Sequence, residues 1–149
     1  AISAEGKIPR ALWVSDISQV SSIEMLSADL QNVSSEDWQL SEVLSGISMI
    51  QTATSEAFVP QMLNYESVDG VSFKKGCYPG QELVERMDSR AAVSPHILRR
   101  VEVATGAQVG DHIVVDGADC GVVTSVAGSV AIARMSRSAN EYGEALQPA

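Results

Sequence analysis

The hydrophobic pattern of this chain changes period once, and that change limits the folds open to it. Ahead of about residue 90, apolar side chains recur at helical spacing; beyond Ser94-Pro95 they fall into short β-branched runs separated by glycine. A helix returns every third or fourth side chain to one face, whereas a strand switches face at every residue. Neither an all-helical bundle nor a single continuous sheet satisfies both patterns. The chain therefore reads as α+β, with a boundary near residues 91–96.

In the second part, residues 97–104, 112–116, 120–126 and 129–135 read as strands, punctuated by Gly106, Gly110, Gly117, Gly121 and Gly128. Asp116-Gly117 and Ala127-Gly128 are the expected hairpin turns. Short strands of this kind build a small barrel or sandwich, here assigned to residues 96–140, with 141–149 as a polar tail. Cys120, in a strand beside Gly121, is expected to be structural, and His96 and His112 to pack or face solvent.

In the first part, residues 11–14 read as a strand. Asp16 or Ser18 can cap a helix bearing Ile17, Val20, Ile23, Leu26 and Leu30. After a break at residues 32–35, Ser34 or Ser35 caps a second helix with Glu36 and Asp37 in its first turn. Its apolar positions are Trp38, Leu40, Val43, Leu44 and Ile47, and Gly46 lies near its end. Strands around Met49-Ile50 and Val71-Phe73 would complete a layer, and Trp13 and Trp38 are expected in its core.

The chemistry concentrates in Lys74-Lys75-Gly76-Cys77-Tyr78-Pro79-Gly80-Gln81-Glu82. Glycines at 76 and 80 permit sharp turns on both sides of Cys77, and Pro79 holds Tyr78 extended. From Gln81 the spacing turns helical, with Leu83, Val84 and Met87 on one face and Glu82, Glu85, Arg86 and Asp88 on others. The expected order is strand, tight loop, then a helix over about residues 80–90. A thiol beside two lysines and the positive end of a helix is biased towards its nucleophilic form. The same N–H groups can hold a carboxylate or phosphate. The competing reading makes Cys77 a small packing residue.

Charge separates these readings further. The net charge is −9, against generic binding to nucleic acid or anionic membrane. Yet residues 71–100 sum to +3, through Lys74, Lys75, Arg86, Arg90, Arg99 and Arg100, and the rest of the chain to −12. A basic island centred on the motif suits an anionic ligand; for Arg86 and Arg90 a solvated helix face is the alternative. Arg99-Arg100 read as one inward stem and one exposed charge. Two cysteines 43 positions apart and two histidines make neither a disulfide framework nor a zinc site. The sequence shows no apolar run of membrane-spanning length, and a reducing cytoplasm is the expected compartment.

Lys75-Gly76-Cys77-Tyr78-x-Gly80-Gln81-Glu82 resembles the signature of the YgfZ family of folate-binding proteins, relatives of the glycine-cleavage T-protein. Phe58-Val59-Pro60-Gln61, the Asn64 loop, Val71-Ser72-Phe73-Lys74, Arg86 and Arg90 extend the resemblance over about residues 46–90. Pro79 and Ala91 depart from the pattern, which many members fill with a small or polar residue and with Gly. The resemblance implies a partial α/β sandwich of ferredoxin-like type over residues 1–92, followed by a small C-terminal antiparallel β-barrel. It implies tetrahydrofolate as cofactor in a central cavity of the full-length protein. Its implied transient partners are iron–sulfur enzymes, tRNA-modifying ones included, without direct nucleic-acid binding.

On that resemblance Cys77 is the reactive or cluster-contacting thiol, and Lys75 holds the loop or an anionic group. Gln81 and Glu82 organise the turn, and Lys74, Lys75, Tyr78, Gln81, Glu82 and Arg86 face the cofactor. Members are longer and carry the signature in their second half. The chain is thus expected to be a C-terminal part that works with an N-terminal domain of the same protein and binds folate weakly alone. The alternative is an aminomethyltransferase passing a one-carbon unit to tetrahydrofolate; T-proteins lack the Lys-Gly-Cys-Tyr pattern. A third reading is a binding module whose thiol only packs.

Overall fold

A computed structural model describes residues 2–4, 10–19, 21, 24–25, 28–72, 74–89, 95–139 and 144–145. Its strands are β1 (Ile2–Ala4), β2 (Arg10–Leu12), β3 (His96–Glu102), β4 (His112–Val115), β5 (Ala118–Ala127), β6 (Val130–Ser136) and β7 (Glu144–Ala145). Its α-helices are α1 (Ser35–Leu44) and α2 (Gln81–Ser89). β1 and β2 pair antiparallel, and the remaining strands form one antiparallel sheet in the order β4-β5-β6-β3-β7. The class is α+β.

The glycine-punctuated runs become strands because their turns fit. Asp116 and Gly117 both take positive φ, 51° and 82°, the backbone that joins β4 to β5 without splaying them. The second hairpin turns at Gly128-Ser129, one residue later than expected, because β5 runs through Ala127. Gly121 is needed for a different reason. A Cβ there would stand 2.5 Å from the Arg134 carbonyl oxygen on the neighbouring strand, so only glycine allows this approach. The β5–β6 register shifts between Val123 and Ser125, leaving Thr124 as an extra residue on β5.

Register decides the two faces. Leu98 and Arg100 on β3 stand opposite Arg134 and Ile132 on β6, so these share one face; Arg99 and Val101, opposite Ala133 and Ala131, take the other. The first face carries a core of Val43, Leu63, Leu98 and Ile132, with Phe58, Tyr65, Ala127 and Val130 packed around it. The second carries Ala133, Met135 and Ala139, with Val101, Ile113 and Cys120. Covering both faces explains why β6 reads as nearly continuous apolar sequence rather than alternating. Leu98 and Ile132 are wholly buried, each contributing about 1.5–3 kcal/mol. The first core joins residues from both sides of Ser94-Pro95.

The sheet does not close into the expected barrel. Its order ends at β4 and β7, and no ladder joins them among the described residues. A cavity of about 480 Å³, lined by Val101, Val103, His112, Ile113, Val115 and Met135, occupies the gap between the end of β3 and β4.

The first part departs further from expectation. Met49, Ile50, Val71 and Ser72 are not in strands, and Phe73 lies outside the described residues. No strand occurs between residues 13 and 95 among the described residues, so the sandwich layer of ferredoxin-like type is not formed there. The chain instead makes 3-10 turns at Thr52–Thr54, Pro60–Leu63 and Tyr65–Val68. The reason lies in the partners available: the Met49 N–H donates to Ser125 Oγ (3.1 Å), a side chain of the sheet, rather than to a strand backbone.

Asp16 accepts from the Ser18 N–H and hydroxyl (2.8 and 2.7 Å) and heads a 3-10 turn at Ile17–Gln19. Ser21, Glu24 and Met25 are helical, while Val20, Ile23 and Leu26 lie outside the described residues. Ser34 caps α1. Its hydroxyl accepts from the Asp37 N–H (3.1 Å), and its own N–H and hydroxyl donate to the Asp37 carboxylate, closing a capping box. α1 turns Val43 into the core. Trp38, five residues earlier, points about 140° away at 3.6 residues per turn. Trp38 is accordingly exposed, and so is Trp13, against the expectation that both pack in the core.

One tyrosine contact braces this layer internally, and one serine contact fastens it to the sheet. The Tyr65 hydroxyl donates to the Ser48 carbonyl (2.6 Å), and burial, with Glu42 behind it, pushes that phenol up, so it stays a donor. Ser48 and Thr124 hydroxyls, both buried, meet at 2.7 Å, and Thr124 donates onward to the Ile132 carbonyl at 3.1 Å. Among the described residues no helix is long and apolar enough to cross a membrane.

Candidate functional site: the Cys77 loop

The loop leads into α2, which packs through Val84 among its described side chains. Val84 is buried and Leu83 half exposed, while the side chain of Met87, expected on the same face, lies outside the described ones. Gln61 Nε2 donates to the Val84 carbonyl (2.8 Å), tying α2 to the turn that carries core residue Leu63. Gln61 belongs to the Phe58-Val59-Pro60-Gln61 stretch, and nothing local in the sequence marks its partner 23 residues on. Its work is to orient the helix.

The turn into α2 closes through Gln81. Its N–H donates to the Tyr78 carbonyl (3.2 Å), and its Oε1 accepts from the Tyr78 N–H (3.2 Å). Its Nε2 donates to Glu85 Oε1 (2.6 Å), one helical turn on. Each end of the amide thus makes one hydrogen bond, the oxygen shaping the loop and the nitrogen bracing the first turn of α2. Gly80 takes φ +84°, a conformation that a Cβ strains, whereas Gly76 does not, and a Cβ built there would meet nothing within 4 Å. Only the second glycine is required by the backbone.

Lys75 lays its ammonium over the Tyr78 ring, 4.8 Å from the centroid, a contact of about 0.5–1 kcal/mol at an exposed site. The two residues flanking Gly76-Cys77 therefore touch each other across the bend. Cys77 is exposed and free. Lys74, Glu82 and Arg86 are exposed as well, the last two sharing a face of α2 at i and i+4 spacing. Arg90 lies outside the described residues. The structure thus links Lys75, Tyr78 and Gln81 to one another within the bend that carries Cys77, while Lys74, Glu82 and Arg86 are exposed.

The loop lines neither of two concavities found among the described residues. The larger, about 620 Å³, is lined by Gln39, Glu42 and Val43 of α1, the 49–53 stretch, residues 107–109 and β5. The other is the gap beside β4. Set against a folate, the exposed Lys74 and Arg86 suit carboxylates of a glutamate tail, and among the described residues none of 74–82 lines either concavity. Among the described residues no three His, Cys, Asp or Glu side chains gather as a metal site.

The remaining polar candidates have structural roles. His112 Nδ1 lies 2.7 Å from Asp119, and that hydrogen bond holds the Asp119 carboxyl below its usual range. His96 is half-buried, its imidazole pushed down by burial and then by Arg134. Arg99 is buried and Arg100 half-buried, so the expected exposed partner of the pair is absent; Arg134 lies over the Phe58 ring at 5.4 Å.

Comparison with known proteins adds a similarity over part of the chain. No protein-family model matches the chain. Over 82 residues, 55% of its length, it is 40% identical to the tRNA-modifying protein YgfZ of Colwellia psychrerythraea (strain 34H). That stretch covers 25% of the relative, so the chain spans about a quarter of the curated protein it matches, and it is similar to YgfZ over that part.

Proposed function

We propose that this chain acts as the thiol-bearing part of a YgfZ-type protein and supports tRNA modification, with Cys77 as its working group. The observation that carries the reading is the presentation of Cys77: a free, exposed sulfur on a bend shaped at one end by Lys75 on Tyr78 and at the other by Gln81. A thiol held this way reaches an electrophile or a metal centre of another protein without the loop having to reorganise first.

In its finer form the proposal concerns iron–sulfur enzymes, tRNA-modifying ones among them, as transient clients. A cluster would be cargo to which one side chain, Cys77, contributes one sulfur. Tetrahydrofolate would supply one-carbon chemistry when bound. Here Lys74 and Arg86 would hold its anionic tail, and the ring would be enclosed by surfaces outside the loop. Small-molecule sites depend on such enclosure, so the 149-residue chain alone binds folate weakly. A reducing compartment keeps both cysteines as thiols.

The test is genetic. A full-length protein carrying Cys77→Ser is expressed in cells lacking the wild type, and modified nucleosides of their tRNA are quantified by mass spectrometry. The expected result is loss of the iron–sulfur-dependent modification with Cys77→Ser and its retention with Cys120→Ser. Full restoration by Cys77→Ser would remove the thiol from the mechanism.

A further inference from the structure

The cavity left where the sheet fails to close has a regular wall. Its volume, about 480 Å³, falls within the range of small-molecule sites. Val101 and Val103 line it from the β3 side, and Ile113 and Val115 from β4. Alternate residues of a strand share a face, so these four stand on one side of their strands. Glu102 and His112 also border the cavity, but the same alternation turns their side chains to the other face, where both are exposed. Val123 and Met135, 2% and 0% exposed, complete the apolar lining. An apolar cavity offers water no partners and gains from an apolar occupant.

Asp111 adds a fixed charge. It lines the same cavity, one residue ahead of β4. Its N–H donates to the Gln108 carbonyl (3.1 Å), and its carbonyl accepts from the N–H of buried Val123 (2.9 Å). Its Oδ2 accepts from the Gln108 N–H (2.8 Å). A carboxylate has two oxygens and about four acceptor positions, so Asp111 can take a further donor. Among the described lining residues there is no Lys or Arg, and the His112 ring lies 2.7 Å from Asp119.

We infer that this cavity binds a small apolar amine, its hydrocarbon body against the valine and isoleucine wall and its protonated nitrogen on Asp111. The carboxylate chooses the charge of the occupant. It repels the head of a fatty acid and the phosphates of a nucleotide, and like charge rejects a ligand more sharply than a missing contact does. A neutral hydrocarbon fills the wall but leaves Asp111 with no cation. A protonated amine satisfies both, through a charge-assisted hydrogen bond at the edge of an apolar surface. The inference is independent of the Cys77 loop and of the function proposed for it.

The test is a titration of the full chain, isotope-labelled at its methyl groups, with octylamine, octanol and octanoate, followed by NMR. The expected result with octylamine is a saturable shift at the methyls of Val101, Val103, Ile113 and Val115. Octanol binds about tenfold more weakly, and octanoate more weakly still. Asp111→Asn keeps an acceptor for the Gln108 N–H, so the urea midpoint holds while octylamine binds about tenfold more weakly. Asp116→Asn changes an exposed carboxylate that does not line the cavity and leaves the affinity within about twofold. The three-ligand series uses the parent protein, so it decides even where Asp111→Asn fails to fold. Equal affinity for the three ligands overturns the inference, as does the absence of a saturable shift. So do shifts centred on Leu63 and Leu98 of the opposite face, and so do equal losses in Asp111→Asn and Asp116→Asn.

Discussion

Removing the Ser48–Thr124 hydrogen bond tests how the motif-bearing layer is fastened to the sheet. Thr124 has one hydroxyl proton and donates it to the Ile132 carbonyl at 3.1 Å; the proton in the 2.7 Å contact must then come from Ser48. Ser48→Ala removes that donor and leaves a Thr124 lone pair unmet in a dry environment, for a loss of about 1 kcal/mol. Thr124→Val costs more, about 1–3 kcal/mol, because the buried Ser48 hydroxyl loses its acceptor and the Ile132 carbonyl loses a donor. The double variant leaves no orphaned hydroxyl at this contact, so its loss falls short of the sum by about 0.5–2 kcal/mol. Urea unfolding of the four proteins at constant slope measures this coupling. Additivity within about 0.3 kcal/mol would show that the two hydroxyls do not depend on each other, and the reasoning about this junction would fail.

Other expectations follow from the same geometry. Gly80→Ala should lower stability by about 1–2 kcal/mol, because its φ of +84° is strained by a Cβ, while Gly76→Ala stays within about 0.5 kcal/mol; equal losses in urea would contradict this. If Gly76→Ala folds normally yet loses function in cells, the open space beside Cys77 is used by whatever the thiol meets. Gly121→Ala places its methyl 2.5 Å from the Arg134 carbonyl oxygen and should cost about 2 kcal/mol or more, seen as a lower thermal midpoint. Bonds from Ser34 hold the Asp37 carboxyl below its ordinary 3.8. A depressed folded value contributes stability that is present above 3.8 and lost as pH falls through the folded value. Asp37→Asn should therefore flatten the acid limb of the thermal midpoint below about pH 4, and an unchanged limb would show that the box does not contribute.

Much of the local structure was legible. β3, β4, β5 and β6 lie within about two residues of the runs predicted from β-branched content and glycine spacing. Ser34 as cap, Gly80 as the strained entry to α2 and Asp116-Gly117 as a hairpin turn were readable for the same reason: each depends on backbone angles and hydrogen bonds within a few residues. The Gln81–Glu85 pair was open to the same reasoning, since i and i+4 neighbours meet on any helix, but went unread. Met49, Ile50, Val71 and Ser72 are not in the strands predicted for them, because a two- or three-residue apolar run has no intrinsic preference strong enough to act without a partner strand. Sheet closure was likewise illegible, since it rests on whether two edges distant in sequence come together.

What the amino-acid order decided alone is therefore short in range: where strands and α1 begin and turn, which glycines the backbone demands, and that Lys74 to Glu82 form a tight basic bend ahead of a helix. Tertiary structure decided which faces are hidden. It set Val43, Leu63, Leu98 and Ile132 in one core, turned Trp38 outward on the same helix that buries Val43, and left the thiol of Cys77 in the open. Burial depends on what another part of the chain brings to a face, and no local pattern of residues carries that information.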